Sequence, residues 1–137
     1  MIIEVTDSMT IEILRNKFSE RYLFLSIEFY AEPHKWQEET SFVHLLAHDK
    51  TIGEVRSIHH PGGLEIHPWH KTGAVEQAFR KKFGLNMQVF RHQGNSWIQT
   101  AGTDSLTLDE QNEIGKNAVI NHNTIGGNST KEQYNLL

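Results

Sequence analysis

The chain contains no cysteine. This absence excludes disulfide bonds, thiolate zinc sites and a cysteine nucleophile together. The chain also has no apolar run that approaches the roughly 20 residues of a membrane-spanning helix. Residues 1–5 lack the basic start and the apolar stretch of a secretory signal. Together these absences predict a cytoplasmic protein with no membrane partner.

Basic residues are also in short supply, because 13 lysines and arginines stand against 17 acidic residues, which gives a net charge of −4. Nucleic-acid binders usually carry a basic patch, since contacts with phosphate dominate their affinity. The one basic run, Arg80-Lys81-Lys82, lies at the end of a predicted helix, where cations are favoured in any case. We therefore expect no nucleic-acid partner.

What the chain does have is a repeated pattern. Residues 3–5 align with 64–66, and at the same offset Leu14, Phe18 and Tyr22 align with Val75, Phe79 and Phe83. With small changes in offset, the later aligned segments are 25–30 with 85–90, 41–44 with 96–99, and 51–54 with 107–110. The offset changes only between these blocks, where loops accept insertions and deletions. Such self-similarity predicts a tandem duplication, with repeat 1 at residues 1–62 and repeat 2 at 63–117.

Each repeat is predicted to form a β-α-β-β-α unit. Its first helix has apolar residues at i, i+4 and i+8, and its second strand alternates apolar and polar residues. Ser8 and Thr10 are both candidate N-caps of the first helix, and capping boxes at Thr51-x-x-Glu54 and Thr107-x-x-Glu110 start the short helices. The predicted strands are 2–6, 24–30, 41–47, 63–67, 85–91 and 96–100, and the later helices are 51–60, 72–83 and 108–116.

A unit of about 60 residues buries little surface when it folds alone, so we expect the two repeats to share one core. The predicted fold is α+β: a single pseudo-two-fold domain over residues 1–117, with a mainly antiparallel sheet and the helices packed on one face. Periodicity ends near Asn117, and the asparagines and glycines that follow predict a flexible C-terminal tail at 118–137.

The sheet face opposite the helices is the first candidate site. Strand alternation predicts that this face is open and carries aromatic groups among polar ones, an arrangement typical of protein contacts. The predicted binding residues are Tyr30, Phe90, Trp97, Phe42, Glu28 and Gln88. Alternatively, these aromatic residues cover the edge of the core or lie under loops. The strand register, which the sequence does not fix, decides whether Trp97 and Phe42 share this face.

Histidines near the junction of the repeats form the second candidate site. Imidazole and carboxylate groups are good zinc ligands, and His67-x-x-His70 has plausible local spacing. However, no HExxH arrangement is present, and repeat 1 has Thr6 and Met9 at the corresponding positions. We therefore predict no metal and no cofactor. The alternative is a metal held by His67, His70, Glu65 and His59.

No catalytic motif is present, since there is no G-x-S-x-G and no phosphate-binding glycine loop with its lysine. The sequence therefore favours a non-enzymatic module that binds a protein partner or forms a homodimer. Its contact surface would be the open sheet face or the groove between the repeats. The alternative is a small histidine-dependent, metal-assisted enzyme with its site at the repeat junction.

Overall fold

The computed structural model describes residues 1–32, 44–125 and 135–136. Within these ranges the chain forms six β-strands and four α-helices. In chain order they are β1 (Ile2–Val5), α1 (Ile11–Arg21), β2 (Leu25–Tyr30), α2 (Ile52–Val55), β3 (Gly62–Glu65), α3 (Thr72–Phe83), β4 (Asn86–Gln93), β5 (Ser96–Gln99), α4 (Leu108–Ile125) and β6 (Asn135–Leu136). The prediction of an α+β fold is confirmed.

The described strands form two sheets. β1 and β3 make an antiparallel pair, which we call the β1–β3 ribbon, and the second sheet has the order β2-β4-β5-β6. The β2–β4 and β4–β5 pairs are antiparallel, and β6 runs parallel to β5. The predicted antiparallel character is therefore confirmed, but the strands are divided between two sheets rather than joined in one.

The core lies between these sheets and the faces of α1 and α3. Phe18 and Phe79 are fully buried, as the helical spacing predicts. Phe18 packs on Tyr22 with ring centroids 5.1 Å apart, and Phe79 packs on Phe83 at 5.5 Å. β1, β2 and β4 contribute aliphatic side chains to the same cluster. One hydrophobic core therefore spans both halves of the chain.

The helix starts follow the predicted capping chemistry. Thr10 caps α1, because its Oγ1 accepts a hydrogen bond from the N–H of Ile13 at 3.3 Å. Thr107 and Glu110 form the full reciprocal box, with both N–H···O distances at 3.1 Å. These bonds occupy amide donors that the first turn of a helix leaves without partners.

The end of α3 requires a glycine. Gly84 has φ of +67°, a left-handed conformation that closes the helix and that side chains with a Cβ rarely adopt. A Cβ at this position would also lie 2.6 Å from Cγ1 of Ile58. The chain therefore uses Gly84 both for its backbone freedom and for close approach to the segment after α2.

A matching set of backbone bonds links each long helix to the loop before the next helix. Isolated antiparallel bridges join Thr10 to Thr51 and Lys71 to Thr107. The N–H to C=O bonds around the first bridge are Ile11 to Lys50, Glu12 to His48, Ile52 to Met9 and Gly53 to Asp7, and those around the second are Thr72 to Leu106, Gly73 to Asp104, Leu108 to His70 and Asp109 to Pro68. Each bond in the first set corresponds to one in the second.

Several predicted boundaries differ from the structure. α2 covers only Ile52–Val55, and α4 continues to Ile125, into the segment predicted to be a tail. Asn135–Leu136 pairs with β5, so this part of the predicted tail also has regular structure. Residues 41–43 of the predicted strand 41–47, including Phe42, lie outside the described residues, and residues 44–47 form only an isolated antiparallel bridge from Leu45 to Tyr30. None of the helices in the described ranges combines the length and the apolar composition of a membrane-spanning segment.

Candidate binding site

The sheet face predicted to be open is closed. Tyr30 is only 2% exposed, and Phe90, Glu28 and Gln88 are fully buried. The register places Glu28 directly opposite Gln88, with Phe90 and Tyr30 at the two ends of the same face. Both faces of β2 are therefore buried, and the prediction of an accessible aromatic face is wrong for these four residues.

An ion-pair network explains how a glutamate lies inside this face. Glu28 Oε1 lies 2.8 Å from Nε of Arg15 and 2.6 Å from Nε2 of His48. Arg15 also donates to the Ile27 carbonyl at 2.7 Å and to the Ser26 hydroxyl at 3.2 Å. A buried charge is tolerated only when it is paired and hydrogen-bonded, and Glu28 meets both conditions.

The geometry of the same network indicates the tautomer of His48. Nη1 of Arg15 lies 3.2 Å from Nδ1 of His48, and a guanidinium group can only donate. Nδ1 therefore accepts, and Nε2 carries the proton that it donates to Glu28. Both ring nitrogens of His48 are therefore engaged by neighbouring side chains.

Among the members of the predicted set that the structure describes, Trp97 has partial access to solvent. It lies opposite His92 in the β4–β5 pair, and their ring centroids are 3.8 Å apart. This contact holds the indole against the sheet. Trp97 therefore does not form an accessible surface together with Tyr30 and Phe90, because both of those rings are buried.

The exposed aromatic group of the described structure is Trp69, which is 66% exposed. Its ring stacks on His67, with centroids 4.2 Å apart and planes at 5°. His67 Nε2 in turn lies 3.2 Å from Oε1 of Glu65. Ile2, also exposed, is the register partner of Glu65 on the β1–β3 ribbon. We call this surface, made by Trp69, His67, His70, Glu65 and Ile2, the Trp69 patch.

An apolar groove adjoins the Trp69 patch. It has a volume of about 190 Å³ and runs between β3 and α3, and its lining residues are Leu64, Glu65, Ile66, His70, Ala74, Val75 and Ala78. His70 connects the two features, because it lines the groove and also packs edge-on against Trp69 with centroids 6.1 Å apart. We call this feature the β3 groove. Large side chains at 74 and 78 would occupy it, so the two alanines keep it open.

The histidines of the alternative metal site are divided between two places. His67, His70 and Glu65 lie together, but Nδ1 of His70 accepts the N–H of His67 at 3.1 Å. His59 instead pairs with Asp7, at 2.8 Å. Across residues 1–32, 44–125 and 135–136, no three histidine, aspartate or glutamate side chains are grouped closely enough to hold a metal ion.

Asp7 belongs to a separate cluster that joins the two halves. Arg56, whose side chain is fully buried, contacts Asp7 Oδ1 through Nε at 2.8 Å and through Nη2 at 2.7 Å. Its Nη1 donates to the carbonyl oxygens of His60 and Phe83, both at 3.1 Å. Arg56 therefore connects the segment around α2 to the C-terminal end of α3.

The Asp7 cluster predicts a specific dependence of stability on pH. Desolvation raises the pKa of Asp7, but hydrogen bonds and charge from Arg56 and His59 lower it more, so the net pKa lies below its usual value of 3.8. The stabilising contribution of Asp7 is therefore present above about pH 4 and is lost as the pH falls through the lowered pKa. Urea unfolding of the wild type and of Asp7→Asn should give midpoints that differ near neutral pH and converge in acid.

Asp49→Asn provides the control for that experiment, because it also removes one negative charge, from an exposed side chain. If the midpoint difference between the wild type and Asp7→Asn stays constant down to the most acidic condition, the ion pair with Arg56 does not stabilise the folded state.

Comparisons with known proteins provide no further constraint: no protein-family model matches the chain, and searches of curated proteins and of solved structures each find no match. The physical properties of the site are therefore the basis for assigning a function.

Residue-level reasoning from the sequence did not single out Trp69, Ala74 or Ala78. A signal was available in the aligned halves, because the first half has Ser8 where the second has Trp69. In the same alignment, Ala74 and Ala78 correspond to Ile13 and Lys17. Positions at which the aligned halves differ most in size and polarity therefore coincide with the Trp69 patch and the β3 groove.

Proposed function

We propose that this protein is a non-enzymatic interaction module that binds a protein partner through the Trp69 patch. The observation that carries the proposal is the exposure of Trp69 beside an apolar groove. Tryptophan is mostly buried in monomers and is enriched at the energetic centres of protein interfaces. Its ring is held by His67 at 4.2 Å, so little side-chain entropy is lost when a partner covers it.

We further propose that the two halves arose by tandem duplication and are related by an approximate two-fold axis. A two-fold axis that passes through an antiparallel strand pair exchanges the two strands. The two residues that face each other at the axis must therefore be equivalent positions of the two halves. Two strand pairs meet this condition. Ile3 lies opposite Leu64 in the β1–β3 ribbon, and Glu28 lies opposite Gln88 in the second sheet. Both are residue pairs that the sequence alignment equates.

Duplication also accounts for the location of the proposed site. In an evolved pair of repeats both copies must support the core, whereas only one copy needs to form a contact surface. The core positions are apolar in both halves, as with Phe18 and Phe79. The positions of the Trp69 patch differ, because Thr6 and Ser8 in the first half correspond to His67 and Trp69. Binding is therefore assigned to the second repeat.

The proposal is tested by size-exclusion chromatography of the tagged protein in extracts of its host cells. Wild type is expected to elute in a larger assembly, and Trp69→Ser, which introduces the residue of the first half, is expected to elute as free protein. An interface aromatic residue of this kind is worth at least about 2 kcal/mol, or roughly thirtyfold in affinity.

Ile58→Ser is the matched control, because Ile58 is 37% exposed and lies at the other end of α3, beside Gly84. The length of α3 separates that end from Trp69 by about 18 Å. Retention of the assembly by Trp69→Ser, or its loss in both variants, would contradict the assignment. Sedimentation of the purified protein distinguishes a homodimer from a complex with another protein.

The Asp7–His59 contact supports a second candidate, the histidine-dependent enzyme. Asp7 holds Nδ1 of His59 at 2.8 Å, and the imidazole is half exposed, as in sites where a carboxylate orients a general base. Its test is elemental analysis of the purified protein together with a His59→Ala variant. This candidate would replace the first if His59→Ala abolished an activity that Trp69→Ser left intact.

A further inference from the structure

At the outer edge of β3, both backbone groups of Glu65, its N–H and its C=O, are available for pairing with another strand. Met1 and Ile66 exchange both N–H···O bonds, at 2.9 and 2.8 Å, so they form a hydrogen-bonded pair. Such pairs alternate along an antiparallel ladder, so Ile3 and Leu64 form the next one. Glu65 lies between them, and its N–H and C=O therefore point away from β1. Within the described ranges, neither group has a hydrogen-bond partner.

The corresponding edge of β2 is capped in a way that the β3 edge is not. Its outward carbonyl groups at Leu25, Ile27 and Phe29 accept from the Ser19 hydroxyl at 3.2 Å, from Arg15 at 2.7 Å and from the Leu46 N–H at 2.9 Å. Proteins block strand edges in this way to prevent unwanted pairing. On β3, the Gly63 carbonyl is capped by Nζ of Lys82, but Glu65 is left open.

The open backbone lies against the β3 groove. Glu65 is itself a lining residue, together with Leu64, Ala74 and Ala78. A strand that pairs with Glu65 would therefore have an apolar side chain next to a cavity of about 190 Å³. By the same alternation, the backbone N–H and C=O of Glu4 on β1 also point away from the partner strand. However, the alignment places the larger residues Ile13 and Lys17 where the second half has Ala74 and Ala78, so the first half lacks the small residues that keep the β3 groove open.

We infer that the edge of β3 binds an extended segment of the partner protein by strand addition, with an apolar side chain in the β3 groove and a neighbouring basic side chain on Glu65. This inference rests on the proposed binding function. The charge preference follows from Glu65, whose side chain is 65% exposed, and from Glu4 on the adjacent strand of the same ribbon face. Backbone bonds supply attraction, and the groove and the carboxylates supply selectivity.

A second copy of the chain is a poorer occupant for this edge. Self-pairing centred on β3 across a two-fold axis would bring Glu65 against Glu65 of the other copy, and like charges directly opposite each other destabilise a strand pair. A segment with lysine or arginine at that position gains an attraction instead. The opening is also short, because the N–H and C=O of His67 are already engaged by His70.

The test uses the isotopically labelled full-length protein and a short peptide of alternating valine and lysine as the probe. NMR titration should shift the Glu65 amide and the Ala74 and Ala78 methyl signals. A valine–glutamate peptide should bind at least about tenfold more weakly because its charges repel Glu65. A valine–lysine peptide with N-methylated backbone should also bind weakly, because it cannot donate to the Glu65 carbonyl.

Two variants separate the contribution of the β3 groove from that of the Glu65 charge. Ala74→Ile combined with Ala78→Lys introduces the residues of the first half and closes the groove, so binding of the probe should fall at least about tenfold. Glu65→Lys changes an exposed side chain and should reverse the preference between the two charged peptides. The inference would be overturned if neither variant changed the binding of the peptides, or if the peptide did not shift the NMR signal of the Glu65 amide.

The same experiment distinguishes this inference from the proposed function. If the probe does not bind and the groove-closing variant still forms the cellular assembly that Trp69→Ser loses, strand addition is wrong and the Trp69 patch remains the contact surface. If the Glu65 amide shifts with protein concentration alone, the edge binds a second copy and the inference of a basic partner segment is overturned.

Discussion

Replacing Phe18 or Phe79 with alanine is expected to lower the free energy of unfolding by about 3–5 kcal/mol in each case. Both side chains are fully buried in the same core, and each packs on a second aromatic ring one turn along its helix. Truncation removes apolar surface from the interior and leaves a cavity that the surrounding helix and strands cannot fill. Urea unfolding monitored by circular dichroism measures both effects.

Ile13→Ala is the control for these substitutions, because it shortens a side chain of α1 that is 45% exposed. Surface changes of this kind usually alter stability by about 0.5 kcal/mol or less. If either phenylalanine variant unfolds in two separate transitions with a partly folded state between them, the two halves have independent cores. A single transition with similar losses is expected because one core contains both residues.

Arg15→Met is expected to cost about 3–5 kcal/mol, because it leaves the Glu28 charge buried without its guanidinium partner. Methionine retains an unbranched stem, so the loss is mainly electrostatic. The contacts removed are the 2.8 Å pair with Glu28 and the 2.7 Å bond to the Ile27 carbonyl. Denaturant unfolding of the variant measures the change.

Lys17→Met is the matched control, two positions along the same helix and exposed, and it should be nearly neutral. Adding Glu28→Gln to Arg15→Met should recover part of the loss, since an amide costs less to bury than a carboxylate. A loss below about 1 kcal/mol for Arg15→Met would mean that Glu28 behaves as a solvated surface group.

Local sequence signals were sufficient for much of the fold. The spacing of Val75, Phe79 and Phe83 together with Gly84 predicts α3 with the bounds that the structure shows. The capping box at Thr107 likewise predicts the start of α4. These features depend on residues within one or two turns of each other, so they can be recognised in the sequence alone.

The closed sheet face could not be predicted in the same way. Strand alternation marks Glu28 as outward and polar, and polar residues are usually exposed. Its burial depends on Arg15 from the preceding helix and on His48 from beyond β2, and no local pattern reveals these partners. Trp69 was missed for a related reason, since exposure is a property of the folded surface and not of the local sequence.

Position-specific photocrosslinking in host cells tests directly whether the Trp69 patch is the surface that binds a partner. A photoreactive amino acid replaces Ile2, an exposed residue of the Trp69 patch, in one variant and Ile58 in another, so that Trp69 itself is retained in both. We expect a discrete crosslinked product from position 2 and none of that mass from position 58. No product from position 2, or the same product from both positions, would contradict the assignment of the binding surface.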